Sequence, residues 1–310
     1  MPNIKHFLSI LDLSAQEIGE VLAEAKRLKQ ELKNQGRHLS RLDKKILVMI
    51  FEKPSLRTKL SFAVGMAQLG GQAVYLGPTD IGLGTRETVA DIAKVASSMG
   101  DCLMARTFSH ETVRELAAHS TVPVINGLSD LEHPCQILAD FLTILEIKGR
   151  LKDLTLAYVG DGENNITHSL ALGCGLLGIN FKCASPRGFT MKEAVMAQAK
   201  ELAAKSGAGI SETDDPSQAV AGADIVYTDT WVSMGDENEK SERLQFFKPY
   251  QVDQLLMARA KPDAIFMHDL PAYRGNEVAA EVIDGPQSVV FPQAANRLHA
   301  QKALILRFLL

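Results

Sequence analysis

The chain has 310 residues, of which 33 are basic and 37 acidic, and its formal charge is −4 at pH 7. This balance argues against a general nucleic-acid binder or a membrane-surface protein, and no run of about 18 apolar residues is present that would cross a membrane. The amino-terminal segment lacks a basic stretch leading into a sustained apolar run, so we expect a cytoplasmic protein. A composition that is 46% hydrophobic suits a globular chain long enough for two domains.

The four cysteines form neither a CxxC pair nor a zinc-ligand spacing. This pattern favours buried, reduced thiols and agrees with a reducing compartment. The residues concerned are Cys102, Cys135, Cys174 and Cys183.

The first half of the chain alternates apolar strands with helices after one long amino-terminal helix. Ser14 and Glu17 have the capping-box spacing that starts this helix. Predicted strands lie at residues 45–51, 73–76, 102–105 and 122–126, and predicted helices at 87–99, 110–119 and 134–148. Such alternation is typical of a parallel sheet with helices on both faces.

The second half repeats this alternation after the helix at 134–148, which is the candidate connector. Its predicted strands lie at 154–159, 181–184, 224–227 and 264–267. The segment DENEKSER from Asp236 is predicted to be a solvated loop, and the terminal segment PQAANRLHAQKALILRFLL is predicted to be a helix too apolar to be a free tail. We therefore predict an α/β fold of two doubly wound parallel-sheet domains, 1–148 and 149–292, joined by helices, with the C-terminal helix 293–310 packing back on the first domain.

The junction between the first strand and the next helix, FEKPSLRTKL, is the most informative feature. It places Ser55, Arg57 and Thr58 beside helical N–H groups that have no intrahelical partner and that carry the positive end of the helix dipole. Hydroxyls and a guanidinium at that position can bind a phosphate. The alternative is an ordinary capped helix with a solvated basic turn.

This junction resembles the carbamoyl phosphate signature of the aspartate and ornithine carbamoyltransferases, Ser-x-Arg-Thr-Arg, with Lys59 in place of the last arginine. Three further segments resemble the ornithine branch of that family in order and spacing: HPCQILADFLTI from His133, DTWVSMG from Asp229 and HDLPAYRG from His268. The four motifs together span the chain. The resemblance implies transfer of a carbamoyl group to ornithine, with carbamoyl phosphate bound by the first domain and ornithine by the second.

For carbamoyl phosphate, the resemblance implies phosphate ligands at the strand–helix junction and carbonyl donors at Thr58, Arg106 and His133. Gln136 would hold the carbamoyl amide, and His133 and Gln136, three residues apart, would share one side of a helix start. Considered alone, a histidine in the position of His133 more often caps a helix, and an arginine in the position of Arg106 more often forms a salt bridge. The complete implied set is Ser55, Leu56, Arg57, Thr58, Arg106, His133, Gln136, Leu270 and Arg297.

For the amine substrate, the resemblance implies contacts from Asn165, Asp229, Ser233 and Met234. Asn165 opens a predicted helix, where an N-cap role is the alternative. The sequence Ser233-Met234-Gly235 is the marker of the branch that uses ornithine itself.

The chain departs from the family at several positions that bear on the chemistry. Asp269 stands where the family has a cysteine that contacts the substrate amine. We include Asp269 with Arg106 and His133 among the predicted catalytic residues. Tyr273 stands where the family has a histidine after Pro-Ala, and Gly82 stands where it has a glutamine that reaches the phosphate. Leu56 stands where the family often has a threonine. Binding of carbamoyl phosphate is therefore a safer expectation than normal turnover.

The resemblance further implies a homotrimer, no metal and no organic cofactor, and a place in arginine biosynthesis, although the same residues serve synthesis and breakdown of citrulline. Two alternatives remain: a carbamoyltransferase for another amine, and a carbamoyl-phosphate-binding protein with weak catalysis. A nicotinamide oxidoreductase is disfavoured. Gly160 and Gly162 follow a strand, but Asn165 stands where the dinucleotide fingerprint needs its third glycine, and no acidic ribose ligand follows.

Overall fold

The computed structural model describes residues 5–83, 86–232 and 240–310. The chain divides into two compact units, the first comprising Met1–Leu142 and Ala295–Leu310 and the second Thr143–Ala294. Sequence patterning had suggested boundaries at 148/149 and 292/293. The observed divisions fall inside two helices, at residues that simple periodicity does not mark.

The first unit is built on a sheet of four parallel strands in the order β2-β1-β3-β4. These strands are β1 (Ile46–Phe51), β2 (Gln72–Leu76), β3 (Cys102–Arg106) and β4 (Val124–Leu128). The last one begins two residues later than predicted because Pro123, which has no N–H to donate, precedes it. β1, β3 and β4 are almost wholly buried, as strands covered on both faces should be.

Six helices accompany this sheet along the chain. The first begins with the predicted capping box: Ser14 Oγ accepts from the Glu17 amide at 3.2 Å, and the Glu17 carboxylate accepts from the Ser14 amide at 2.9 Å. The helices are α1 (Ala15–Gln35), α2 (Leu56–Gln68), α3 (Pro78–Ile81), α4 (Val89–Met99), α5 (His110–His119) and α6 (Pro134–Lys148).

The second unit contains five parallel strands in the order β7-β6-β5-β8-β9. These are β5 (Thr155–Val159), β6 (Asn180–Ala184), β7 (Ile210–Thr213), β8 (Ile225–Tyr227) and β9 (Ile265–Met267). β7 was not predicted. Its sequence, ISET, has one apolar residue, and an edge strand needs no second buried face.

The helices of the second unit include one that corrects an expectation. Residues 240–243, predicted to lie in a solvated loop, begin a helix, and Arg243 is buried, where it pairs with Asp161 and donates to the Trp231 carbonyl at 2.8 Å. A charged run does not reveal that one of its members has a buried partner far along the chain. The helices are α7 (Asn165–Leu177), α8 (Glu193–Ser206), α9 (Pro216–Val220), α10 (Lys240–Phe247), α11 (Gln254–Met257) and α12 (Ala280–Ile283).

The last helix, α13 (Val290–Leu309), returns to the first unit, which confirms the predicted packing of the C-terminal segment. Its Lys302 is fully buried, and the Nζ atom donates to Gln68 Oε1 at 2.9 Å. The same Nζ atom lies 2.7 Å from His38 Nε2. A polar anchor of this kind fixes the register in which the helix packs.

All four cysteines are buried, as predicted, and none of the four forms a disulfide. Burial raises the pKa of the Cys135 thiol to about 12, so this thiol is protonated at neutral pH. Among the described residues, no helix is both long enough and apolar enough to cross a membrane.

Both strand orders reverse direction once, between β1 and β3 in the first unit and between β5 and β8 in the second. In doubly wound sheets, ligands bind beyond the carboxyl ends of the strands at such a switch point. The loop at Glu52–Ser55 and Arg106 lie at the first of these points, and Gly160, Asp161 and Asp229 lie at the second.

Candidate functional site

The strand–helix junction of the first unit folds as a capped helix start. Ser55 is the N-cap of α2, and its Oγ accepts from the Thr58 amide at 3.3 Å. Arg57 is half-buried, whereas Leu56 is 69% exposed. The α2 amino terminus therefore carries its dipole beside a guanidinium, which is the arrangement that attracts a phosphate.

Two buried arginines converge on the hydroxyl of Thr58. Arg297 Nη2 donates to Thr58 Oγ1 at 2.9 Å, and Arg106 Nη1 lies 3.5 Å from the same atom. The β-sheet register changes between Ala105 and Arg106, a bulge of the type that redirects a side chain at a strand end. The structure thus brings together Thr58, Arg106 and Arg297, which come from three distant segments of the chain.

His133 is 1% exposed and lies among cations. Burial, followed by Arg297, Arg106, Arg57 and Lys53, holds the pKa of its imidazole well below the ordinary value. The ring is therefore neutral at physiological pH. A neutral imidazole can donate one N–H to a carbonyl oxygen without adding charge.

Gln136 lies one helical turn from His133 on α6 and is fully buried. Its Nε2 donates to Asp140 Oδ1 at 2.9 Å. Among the described residues, its Oε1 is buried without a hydrogen-bond partner. A buried amide oxygen left in this state is an acceptor for a ligand N–H.

In the second unit, Asp229 follows β8 and is 6% exposed. Its Oδ2 accepts from the Asn164 side chain at 2.8 Å, and its Oδ1 accepts from the Thr230 amide at 2.6 Å. Asn164 is also the N-cap of α7, while Asn165 is the first helical residue and is half-buried. The N-cap role that the sequence suggested for Asn165 thus belongs to its neighbour, because two consecutive asparagines have equal capping propensity and only the fold distinguishes them.

Asp269 lies close to Asp229, because β8 and β9 are paired neighbours and both residues follow these strands. The ligand-type atoms of Asp229, His268 and Asp269 all lie within 4.8 Å of one another. His268 is fully buried, with Nε2 3.2 Å from Glu277 Oε1, and its Nδ1 accepts from the Leu270 amide at 2.9 Å. These are residue types that bind divalent cations, but Nδ1 of His268 is already occupied by that amide.

The ionisation of this cluster follows from burial and from like charges. Burial and then the neighbouring Asp269 raise the pKa of Asp229 well above that of an ordinary carboxyl. For His268, burial lowers the pKa, but Asp269 and Glu277 raise it to about 9. The Leu270 amide donates to Nδ1 of His268, which requires a lone pair there, so we assign a neutral ring in this geometry.

Four further residues were named in the sequence analysis. Ser233 and Met234 lie outside the described residues. Gly82 ends α3 with a φ of 53°, a left-handed conformation that favours glycine over the family's glutamine. Leu270 belongs to the second unit and has a φ of 63°.

Two residues near these groups were missed by the sequence reasoning. Lys53 is 8% exposed, lies 4.8 Å from the centre of the Phe108 ring and contributes to the positive field at His133. The sequence did contain a clue to Lys53, because FEKPS lies inside the motif that carries the family resemblance. Glu277 is 1% exposed and also accepts from the Tyr273 amide at 2.5 Å, and nothing local in the sequence distinguishes it from a surface acid.

Comparison with known proteins agrees with both halves of this arrangement. Residues 5–146 match the carbamoyl-P binding domain of aspartate/ornithine carbamoyltransferase, and residues 152–308 match the Asp/Orn binding domain. The chain is 52% identical over 305 residues to an ornithine carbamoyltransferase of Anoxybacillus flavithermus, covering 98% of this chain and 96% of that protein. It is also 52% identical over 301 residues to one of Bacillus subtilis, covering 97% and 92%.

Solved structures give the same result. The ornithine carbamoyltransferase from Pyrococcus furiosus superposes with a TM-score of 0.94 at 49% identity, covering 97% of this chain and 96% of that one. The structure from Campylobacter jejuni, named as an anabolic ornithine carbamoyltransferase, gives a TM-score of 0.92 at 39% identity, covering 98% and 99%. Both domain models and these full-length relatives place the chain in the aspartate/ornithine carbamoyltransferase family.

Proposed function

We propose that this protein transfers the carbamoyl group of carbamoyl phosphate to the side-chain amine of L-ornithine, giving L-citrulline and phosphate. The observation that carries the proposal is the convergence of Arg106 and Arg297 on Thr58, beside the α2 amino terminus and Arg57. This is a preorganised cluster of donors for a dianionic acyl phosphate. The names of the full-length relatives support ornithine as the acceptor.

In this proposal the first unit binds and polarises carbamoyl phosphate. The phosphate is held by Ser55, Arg57 and the N–H groups at the start of α2, including the backbone N–H of Leu56. Thr58, Arg106 and the neutral His133 donate to the carbonyl oxygen, where negative charge develops when the amine attacks. Gln136 Oε1 accepts from the carbamoyl NH₂. We assign Leu270 and Arg297 to the same ligand, following the family pattern.

The second unit binds ornithine through Asn165, Asp229, Ser233 and Met234. The amine must lose its proton before its nitrogen lone pair attacks the carbonyl carbon. A C–N bond then forms, the C–O bond to phosphate breaks, and the electron pair of that bond leaves on the phosphate. The attacking nitrogen loses one further proton, which an oxygen of the leaving phosphate accepts. Asp269, near Asp229, acts on the ionisation of the amine and is in that sense catalytic.

We further propose a homotrimer, on the basis of two different exposed apolar faces of the first unit. One is a stripe along α2 formed by Leu56, Leu60 and Val64, spaced four residues apart. The other is a groove of about 340 Å³ beside the edge strand β2, where Val74, Val95 and Met99 are 45%, 52% and 73% exposed. Two unlike faces suit a head-to-tail contact, which closes into a ring.

Arg86 and Glu87 also line this β2 groove. We therefore propose that the loop around Gly82 to Glu87 reaches the site of a neighbouring copy, so that the site is shared between copies. The buried thiols, none of them in a disulfide, fit a reducing compartment, so we propose a cytoplasmic enzyme. We also propose a place in arginine biosynthesis, which the family resemblance implies.

The proposed substrate is tested with a panel of amines in the presence of carbamoyl phosphate. Ornithine, N-acetylornithine, putrescine and aspartate are compared by formation of the ureido product and of phosphate. We expect ornithine to give the highest kcat/KM and equal amounts of both products. Faster turnover of another amine would contradict the ornithine assignment, and binding of carbamoyl phosphate without transfer to any amine would contradict the enzyme.

A further inference from the structure

The buried face of α6 carries a polar stripe that the family motif only partly explains. Gln136 and Asp140 are four residues apart and lie on one side of α6, and His133 immediately precedes the helix, three residues before Gln136. All three are at most 1% exposed. The other residues between 135 and 142 are apolar and buried: Cys135, Ile137, Leu138, Ala139, Phe141 and Leu142.

Asp140 is unusual because a fully buried carboxyl is costly. An apolar side chain at this position would serve packing alone at lower cost. The carboxyl contacts the side-chain amide of Gln136, the one group of the stripe whose two ends are chemically opposite.

This contact fixes which end of the Gln136 amide is available. Nε2 donates to Asp140 Oδ1 at 2.9 Å, and Oε1 has no partner among the described residues. A carboxylate only accepts hydrogen bonds, so the amide cannot turn around without placing two acceptors together. The end of Gln136 that is free for a ligand is therefore an acceptor.

We infer that Asp140 is a positioning residue that orients Gln136 so that the site selects an acyl phosphate bearing an N–H group over one bearing a methyl group. The inference rests on the proposed function, because it takes carbamoyl phosphate as the ligand of this unit. Acetyl phosphate shares the phosphate and the carbonyl group but has CH₃ in place of NH₂. Bound to the same residues, it leaves the buried Oε1 unsatisfied, and a buried polar group without its partner weakens binding.

The test compares the two acyl phosphates by calorimetric titration of the full-length protein without the amine. In the parent, carbamoyl phosphate binds more tightly than acetyl phosphate. In Asp140→Asn, which is isosteric, the amide of residue 140 can donate to Gln136 and the orientation is no longer enforced. We expect the ratio of the two affinities to fall by about tenfold, mainly through weaker binding of carbamoyl phosphate, with acetyl phosphate changed by less than about twofold.

A matched control is Asp224→Asn in the second unit, another buried aspartate, which accepts from the Thr155 amide at 2.9 Å and from Lys261 Nζ at 2.8 Å. It carries a similar loss of a buried carboxylate and leaves the affinity ratio unchanged. In a Gln136→Met background, Asp140→Asn has no further effect on the ratio, because the group that Asp140 positions is absent. A purely structural Asp140 would lower both affinities together in either background.

The outcomes separate this inference from the proposed function. A parent that binds neither acyl phosphate contradicts the proposed function. A parent that prefers carbamoyl phosphate, with the preference intact in Asp140→Asn, overturns only the role of Asp140. If Asp140→Asn does not fold, neutron diffraction of the deuterated parent decides the question: deuterium on the Gln136 atom that faces Asp140 supports the inference, and its absence there overturns it.

Discussion

His133 and Asp229 show two opposite effects of burial on ionisation at the level of single residues. Burial among cations lowers the pKa of His133 and keeps the imidazole neutral. Burial beside a second carboxyl raises the pKa of Asp229. In both groups, which lie near the proposed reactants, burial disfavours the charged form, and each effect makes a prediction possible.

Removing the guanidinium at the α2 start tests the proposed phosphate site. In Arg57→Ala, we expect saturable binding of carbamoyl phosphate to disappear from calorimetric titration, since one charge-assisted contact contributes about 2 to 4 kcal/mol. The fold should persist, because Arg57 is only half-buried. Arg114→Ala on α5, whose side chain is 59% exposed, removes an equal charge as a control and leaves binding intact. Affinity within about twofold of the parent in Arg57→Ala would contradict the assignment.

The Asp229–Asp269 pair predicts a shifted pH profile. A second carboxylate near the amine stabilises the ammonium form, whereas only the neutral amine attacks. In Asp269→Cys, we therefore expect the acidic limb of kcat/KM to move to lower pH and turnover of ornithine at neutral pH to increase. Ornithine binding weakens in the same variant, because one attractive charge is lost.

An unchanged pH profile in Asp269→Cys would mean that Asp269 does not act on the amine. A parent that is inactive at every pH, with activity restored in Asp269→Cys, would favour the carbamoyl-phosphate-binding protein of weak catalysis. Asp269→Asn serves as a control that removes the charge alone, and it should also move the acidic limb of kcat/KM to lower pH.

The sequence predicts residue chemistry better than it predicts residue contacts. The junction motif identified Ser55 and Thr58 as groups at a helix start, and they lie there. It did not separate Asn164 from Asn165, nor did it reveal that Arg243 pairs with Asp161. The Asn164–Asp229 and Arg243–Asp161 contacts each join residues more than 60 positions apart, so they depend on the tertiary fold.

The elements of secondary structure follow from local pattern wherever the pattern is strong. Buried apolar strands and the capped helix α1 were predicted, and α5 and α6 begin and end at the predicted residues. β7 was missed because three of its four residues are polar. The interior of α13 also holds two polar groups, His299 and Lys302, and the partners of Lys302, His38 and Gln68, lie elsewhere in the first unit.

His299 on α13 makes the first unit sensitive to acid. Burial, then Lys302, Lys29 and His38, lower its pKa to about 3, and its Nδ1 has no hydrogen-bond partner among the described residues. The unfolded chain binds a proton at this residue near pH 6.5, whereas the folded chain does not. Stability from this residue is therefore complete above pH 6.5 and is lost as the pH falls toward 3.

In His299→Gln, we expect the free energy of unfolding to fall less steeply between pH 7 and pH 4, by about 1 to 3 kcal/mol over that range. Denaturant titrations at several pH values measure this. His119→Gln, at the exposed end of α5, is the matched control and keeps the slope of the parent. Equal slopes in all three proteins would show that His299 is not held neutral by the fold.

At the scale of the whole molecule, the exposed apolar faces of the first unit predict assembly. Met99→Glu places a charge in the β2 groove, and we expect light scattering to show that the proposed trimer dissociates into smaller species with loss of turnover. Leu255→Glu in the second unit, at a site 80% exposed, is the control and leaves the mass unchanged. A fully active parent monomer would contradict both the trimer and a site shared between copies, whereas a hexamer built of trimers would agree with them.

The most direct test of the central claim follows the two atoms that become bonded. The protein is supplied with carbamoyl phosphate labelled with ¹³C at the carbonyl carbon and with ornithine labelled with ¹⁵N at the side-chain amine. We predict a ¹³C resonance of the citrulline ureido group split by one-bond coupling to ¹⁵N, with one phosphate released for each product molecule. Consumption of carbamoyl phosphate without such a coupled product would contradict carbamoyl transfer to ornithine.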